Sequence, residues 1–149
     1  MTSDILRRRG RERGATLVEA ALVLGILMMT IFTVVEIQRM LLIYTTLTHA
    51  ADSGLRYAIV HGSKRSGSGA DGPSGPASDP TQVVSVVQYY TSAGSLNPDR
   101  TTISVSYPDG TNDPGQHVRV RVGYAYDPFT AYFPLSINLS GEAQGIITF

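Results

Sequence analysis

The sequence predicts an α+β protein in which one long helix, apolar in its first half, packs on a small antiparallel β-sheet with one extra short helix. Three observations carry that reading. Residues 15–35 form an apolar run with a single charge, Glu19. A helical i, i+3, i+4 pattern then continues towards residue 61. After residue 100, three runs alternate apolar and polar side chains with the period of strands. Five segments follow: a basic leader over 1–14, a membrane span over 15–35, an extracytoplasmic continuation of the helix over 36–61, a Gly/Ser/Pro-rich loop over 62–80, and a small helix plus sheet over 81–149.

The span comes first in the chain. At about 1.5 Å per residue, a helix of that length reaches roughly 30 Å, the thickness of a bilayer's hydrocarbon core. Before Gly14 stand Arg7, Arg8, Arg9, Arg11 and Arg13 against Asp4 and Glu12, and no comparable basic cluster follows the run. The charge asymmetry places the N-terminal tail in the cytoplasm and the rest across the membrane. The run is longer than the roughly 7–15 apolar residues of a cleavable secretory signal, and it passes into more helix.

Beyond the span, Tyr44, Leu47, Ala51, Leu55 and Ala58 mark one apolar face, with Thr45, His49, Asp52 and Arg56 between them. Gly62 is placed to end the helix. In residues 62–80, thirteen of nineteen are Gly, Ser or Pro, a composition that predicts a mobile, solvated loop. "DPTQVVSVVQYYTSAG" predicts a short helix with an Asp79 or Thr81 cap, Val83, Val84, Val87 and Tyr90 on one side, and a stop near Gly94. The strand runs are Ile103, Val105 and Tyr107; then Val118, Val120, Val122, Tyr124 and Tyr126; then Leu135, Ile137 and Leu139. "YPDGTNDPG" supplies the reversing loop between the first two.

Composition narrows the function. The net charge is zero, which gives no sign of a nucleic-acid partner, and cysteine is absent, which removes disulfides and thiolate metal sites. His49, Asp52 and Ser53 read as a polar helix face without a nucleophile turn such as G-x-S-x-G. His61 and His117 lack metal-site spacing, and glycine-rich 67–75 lacks the lysine of a phosphate loop. The expectation is a protein that is not an enzyme and needs no cofactor or metal.

Glu19 is the residue that a plain anchor does not explain. A carboxylate in hydrocarbon costs about 2.5–3.5 kcal/mol near the centre of an inserted helix and less towards its edge, so it calls for a partner. Glycine, four residues and then glutamate, set between a basic leader and an apolar helix ("RGATLVEAALVLG"), resembles the type IV prepilin motif. With Glu36, Arg39 and "AADSGLRYA" (Ala50–Ala58), the first 60 residues resemble the TadE-like pseudopilins of tight-adherence, or Flp-type, pilus systems. Ala20 stands where major Flp pilins often carry tyrosine, which favours a minor pilin or pseudopilin. Gly25 lies near the position of a proline common in such spans, and no proline is present.

The resemblance implies a type IV pilin-like fold and cleavage by prepilin peptidase between Gly14 and Ala15. It also implies a role for Glu19 in setting subunit register against a neighbour's N-terminal amine. The implied partners are prepilin peptidase, other pilins or pseudopilins, the inner-membrane pilus assembly platform and membrane lipid. The implied location is the bacterial inner membrane, with incorporation into a pilus for surface attachment. Glu36 and Arg39 mark the outer membrane boundary or a partner contact. Tyr124 and Tyr126 are expected in the core, and Phe129, Tyr132 and Phe133 are candidates for an interface. The competing reading is an uncleaved, signal-anchored extracytoplasmic binding domain with no role in a fibre.

Overall fold

In the computed structural model, helix α1 (Thr2–Val60) is followed by α2 (Thr81–Ala93), a 3₁₀ turn (Pro98–Arg100) and strands β1 (Thr101–Ser106), β2 (His117–Tyr126) and β3 (Ile137–Ile146). The structure describes residues 2–68, 72–128 and 136–149, with side chains from residue 14 onward. The chain divides into two compact units, Met1–Gln38 and Arg39–Phe149, so α1 contributes its first part to one and Arg39–Val60 to the other.

In the second unit, β1, β2 and β3 form one antiparallel sheet in that order. Ile103 faces Val122 across the first pair, and Val122 faces Gly141 across the second. Alternation along β2 sends Val118, Val120, Val122 and Tyr126 into the core and leaves Arg119 and Arg121 outside. Arg119 pairs with Glu142 of β3 at 3.2 Å on the exposed face.

The helix meets the sheet through small residues. Leu47, Ala50, Ala51, Leu55 and Ala58 are buried, and the gap at Gly54 is filled by Val87 of α2 and Val120 of β2. On the facing strand, a Cβ at Gly141 would lie 2.6 Å from the Thr48 nitrogen and 2.8 Å from the Leu47 oxygen, so helix backbone rests directly on strand backbone. At Gly145 the space is taken instead by the Ile59 side chain, whose Cδ1 would lie 2.7 Å from an added Cβ. Full burial of side chains such as Leu47, Val83 and Val87 contributes about 1.5–3 kcal/mol each.

Several sequence expectations need correction. Tyr44, expected in the apolar face, is 47 % exposed, and Ile43 takes the core position instead. On α2 the buried residues are Val83, Val87 and Thr91, while Tyr90 is exposed. No side chain caps α2; the N-cap position is Pro80, and the Thr81 hydroxyl donates to the Asp79 carboxylate. α1 ends at Val60, and Gly62 serves close approach, since a Cβ there would run into the Phe149 carbonyl and Ile147. β3 extends to Ile146, well beyond the expected Leu135–Leu139 run, and Leu135 lies outside the described residues.

The 62–80 segment is not solvated throughout. Ser74 is 1 % exposed and its N–H donates to the His61 carbonyl at 2.8 Å, while Asn112 Nδ2 donates to the Gly75 carbonyl at 2.7 Å. Those two bonds tie the segment to the end of α1 and to the β1–β2 loop.

Candidate functional site: the N-terminal motif and the helix exit

Gly14, Ala15 and Glu19 lie on α1 in the first unit, and all three are exposed. Ala15 and Glu19 are i and i+4, so they share one helix face a single turn apart. A Cβ at Gly14 or at Gly25 would meet nothing within 4 Å. A glycine inside a helix costs roughly 0.5–1 kcal/mol relative to alanine. Among the described residues no packing offsets that cost at either position.

The apolar run is bare. Leu17 is 72 % exposed, and every residue from 14 to 35 is exposed in the isolated chain. α1 from Gly14 onward is long and apolar enough to cross a membrane, and none of its most apolar stretch is buried by the protein itself. The hydroxyls within the run are satisfied along the helix: Thr30 Oγ1 donates to the Ile26 carbonyl at 2.9 Å and Thr33 Oγ1 to the Met29 carbonyl at 2.8 Å. Such back-bonding removes the cost of placing a hydroxyl in hydrocarbon. Glu19 is the one ionisable side chain in the run.

At the start of the second unit, the Arg39 guanidinium carbon lies 5.4 Å from the centre of the Tyr126 ring. Tyr126 is 1 % exposed and closes the sheet's core at the end of β2. A cation over an aromatic face is worth about 0.5–1 kcal/mol at an exposed site. Arg39 therefore fastens the first turn of the domain's helix to the far end of its central strand. Spacing in the sequence marked Arg39 only as a neighbour of Glu36, and nothing in the linear pattern ties it to Tyr126. Tyr124 packs half-buried against the core beside Tyr126, as expected. Phe129, Tyr132 and Phe133 lie outside the described residues.

The "AADSGLRYA" segment is used chiefly for packing. Ala50, Ala51, Gly54, Leu55 and Ala58 face inward, Asp52 pairs with Arg56 at 2.9 Å, and the Tyr57 hydroxyl donates to Gln82 of α2 at 3.1 Å. Tyr57 also stacks on His61, ring centres 3.9 Å apart, and His61 Nδ1 bonds the Tyr57 carbonyl at 2.8 Å. The Ser53 hydroxyl donates to the His49 main-chain carbonyl at 2.8 Å, a bond along the helix and not one to the His49 ring.

On the β1–β2 loop, Asp109 accepts from both the backbone N–H and the ring of His117, at 2.7 and 2.8 Å. Those donors hold its carboxyl below the usual carboxylate range. The Ser63 hydroxyl does the same for Asp113, and burial raises the Tyr107 phenol.

Comparison with known proteins bears on the helix. Residues 14–56 match the family model described as TadE-like protein. No curated protein and no solved structure matches the chain. The matched stretch begins at Gly14 and ends at Arg56, within the helix segment that packs on the sheet.

Proposed function

We propose, taking the TadE-like segment over residues 14–56 as the premise, that this chain is a minor pilin or pseudopilin of a tight-adherence pilus. It is cut between Gly14 and Ala15 by prepilin peptidase and helps assemble a fibre for surface attachment. The observation that carries the reading is that the family match starts at the very glycine after which the cut is expected. Gly14 has no packing reason to be glycine, and its poor helix propensity lowers the cost of opening the helix for a peptidase.

Cleavage creates an α-ammonium at Ala15, at a helix N-terminus whose dipole is already positive. Glu19 stands one turn along the same face and offers the neutralising charge, either to its own chain or to a neighbour at a fixed axial offset. The bare apolar helix sits in lipid before assembly and packs on like helices of other pilins afterwards. The N-terminus is cytoplasmic, the 39–149 unit extracytoplasmic, and the inner-membrane assembly platform moves the subunit between the two settings. The role is structural and not catalytic.

The test is complementation. Cells lacking the protein should lose surface fibres and attachment, and the wild-type chain should restore both. Glu19→Ala should still be cut yet fail to restore fibres. Normal fibres and attachment in cells lacking the protein would overturn the proposal.

A further inference from the structure

The two edges of the sheet differ. α2 lies against β1, whereas β3 has β2 on one side and, among the described residues, no backbone partner on the other. The direction of its unpaired groups follows from the residue that ends the strand. Ile147 donates its N–H to the Gln116 carbonyl at 2.9 Å and accepts from the Gly115 N–H at 2.8 Å, so both its groups turn towards β2. Antiparallel pairing alternates that direction at each residue. Gly145, Ala143, Gly141, Leu139 and Ile137 therefore bond to β2. Ile146, Gln144, Glu142, Ser140 and Asn138 aim N–H and C=O away from it.

Among the described residues nothing blunts this edge. Pairing with β2 runs residue for residue from His117↔Ile146 to Tyr126↔Ile137 without a bulge. The strand contains no proline and no lysine, the usual protections of an exposed edge. Its one charge, Glu142, is paired with Arg119 of its own sheet.

The flank of α1 that touches β3 also borders the open edge. Thr48 rests on Gly141 and Ile59 on Gly145. Leu41 and Tyr44 precede Thr48 by seven and four residues, on the same flank by helical periodicity. Leu41 is 60 % exposed, although it lies within the folded unit.

We propose that β3 is a strand-addition site that receives an extended segment of a different polypeptide. Backbone groups of that segment pair with residues 138–146, and alternate apolar side chains cover Leu41, Tyr44 and Ile59. A second copy of this chain fits less well. Pairing through its own β3 would offer inward bulk only at Ile137 and Leu139, with the small Gly141, Ala143 and Gly145 over the rest of the strand. It would also bring another α1, seated on Gly141, to the face that the first α1 already occupies.

The test uses the full chain in lipid nanodiscs and a capped peptide of alternating valine and threonine, about seven residues long. Amide exchange at residues 138, 140, 142, 144 and 146 should be fast in the free protein and slow on adding the peptide. Residues 139, 141, 143 and 145 should be slow throughout. Ser140→Pro removes an N–H that the fold does not use, so it should melt like Ser140→Ala yet bind the peptide about tenfold or more weakly. Absence of protection, or equal binding by the proline variant, would overturn the proposal. So would a β3-paired dimer of the protein alone, or failure of Ser140→Pro to fold, which would show that the N–H is already used.

Discussion

Replacing Gly141 with alanine should loosen the joint between helix and sheet. The added methyl would sit 2.6 Å from the Thr48 nitrogen, 2.7 Å from the Leu47 carbonyl carbon and 2.8 Å from its oxygen. All three are backbone atoms, so no rotamer change relieves the contact. Ordinary carbon contacts need about 3.5–4 Å, and the helix must therefore withdraw by the better part of an ångström. A gap of about 0.5–1 Å forfeits a quarter to a half of each dispersion contact along the Leu47–Ala51 face. Overpacking of this kind costs about 1–3 kcal/mol, or a fall of roughly 5–20 °C in melting temperature for a domain of this size. Gly123→Ala is the matched control, because its nearest neighbour would be the Thr102 oxygen at 3.8 Å. It should be neutral or slightly stabilising, since alanine restricts the unfolded chain. Thermal melts of both full-length variants in nanodiscs, followed by circular dichroism, make the comparison. A Gly141→Ala protein that melts at or above Gly123→Ala would refute the close-packed interface.

Arg39→Ala should destabilise the 39–149 unit by about 0.5–1 kcal/mol, with Arg39→Lys in between, as read from chemical denaturation; equal stability of all three would show that the Tyr126 contact contributes nothing. Asp109 has a lowered folded-state pKa, so its stabilising contribution is complete above the ordinary aspartate range and is lost as pH falls through the lowered value. Asp109→Asn should accordingly be less stable than the wild type at about pH 6, with the gap closing towards about pH 2. A gap that stays constant across that range would contradict the assignment. Glu19→Gln keeps the shape of the side chain and one acceptor oxygen but removes its charge. If charge sets the register, this variant should fail in fibre assembly as Glu19→Ala does; full activity would point to hydrogen bonding instead.

Much of the fold was legible because bulk alternated where burial demanded it. Val118, Val120, Val122 and Tyr126 mark β2, and Val83 and Val87 mark α2. The second half of β3 escaped that reading for a physical reason. Its inward positions are Gly141, Ala143 and Gly145; a Cβ at Gly141 would meet the α1 backbone and one at Gly145 the Ile59 side chain, and a strand without inward bulk has no hydrophobic period. Small residues alternating with Ser140, Glu142 and Gln144 were the available signal. Tyr44 was misplaced because helical period alone does not say where the sheet stops covering the helix. The 62–80 composition pointed to solvent, but Asn112 and the end of α1 supply the hydrogen bonds that its own backbone lacks. At the site, Gly14 and Glu19 stood out through their spacing, a local feature. Arg39 over Tyr126 joins distant positions and left no trace in the linear pattern.

Whether the chain is a cleaved, assembling pilin-like subunit turns on its mature N-terminus. Intact mass and N-terminal peptide analysis of the protein from membranes, with and without the cognate prepilin peptidase, tests it most directly. A processed subunit should show a mature N-terminus at Ala15 only where the peptidase is present. An N-terminal leader retained through Gly14 in both samples would contradict it and leave a signal-anchored extracytoplasmic domain.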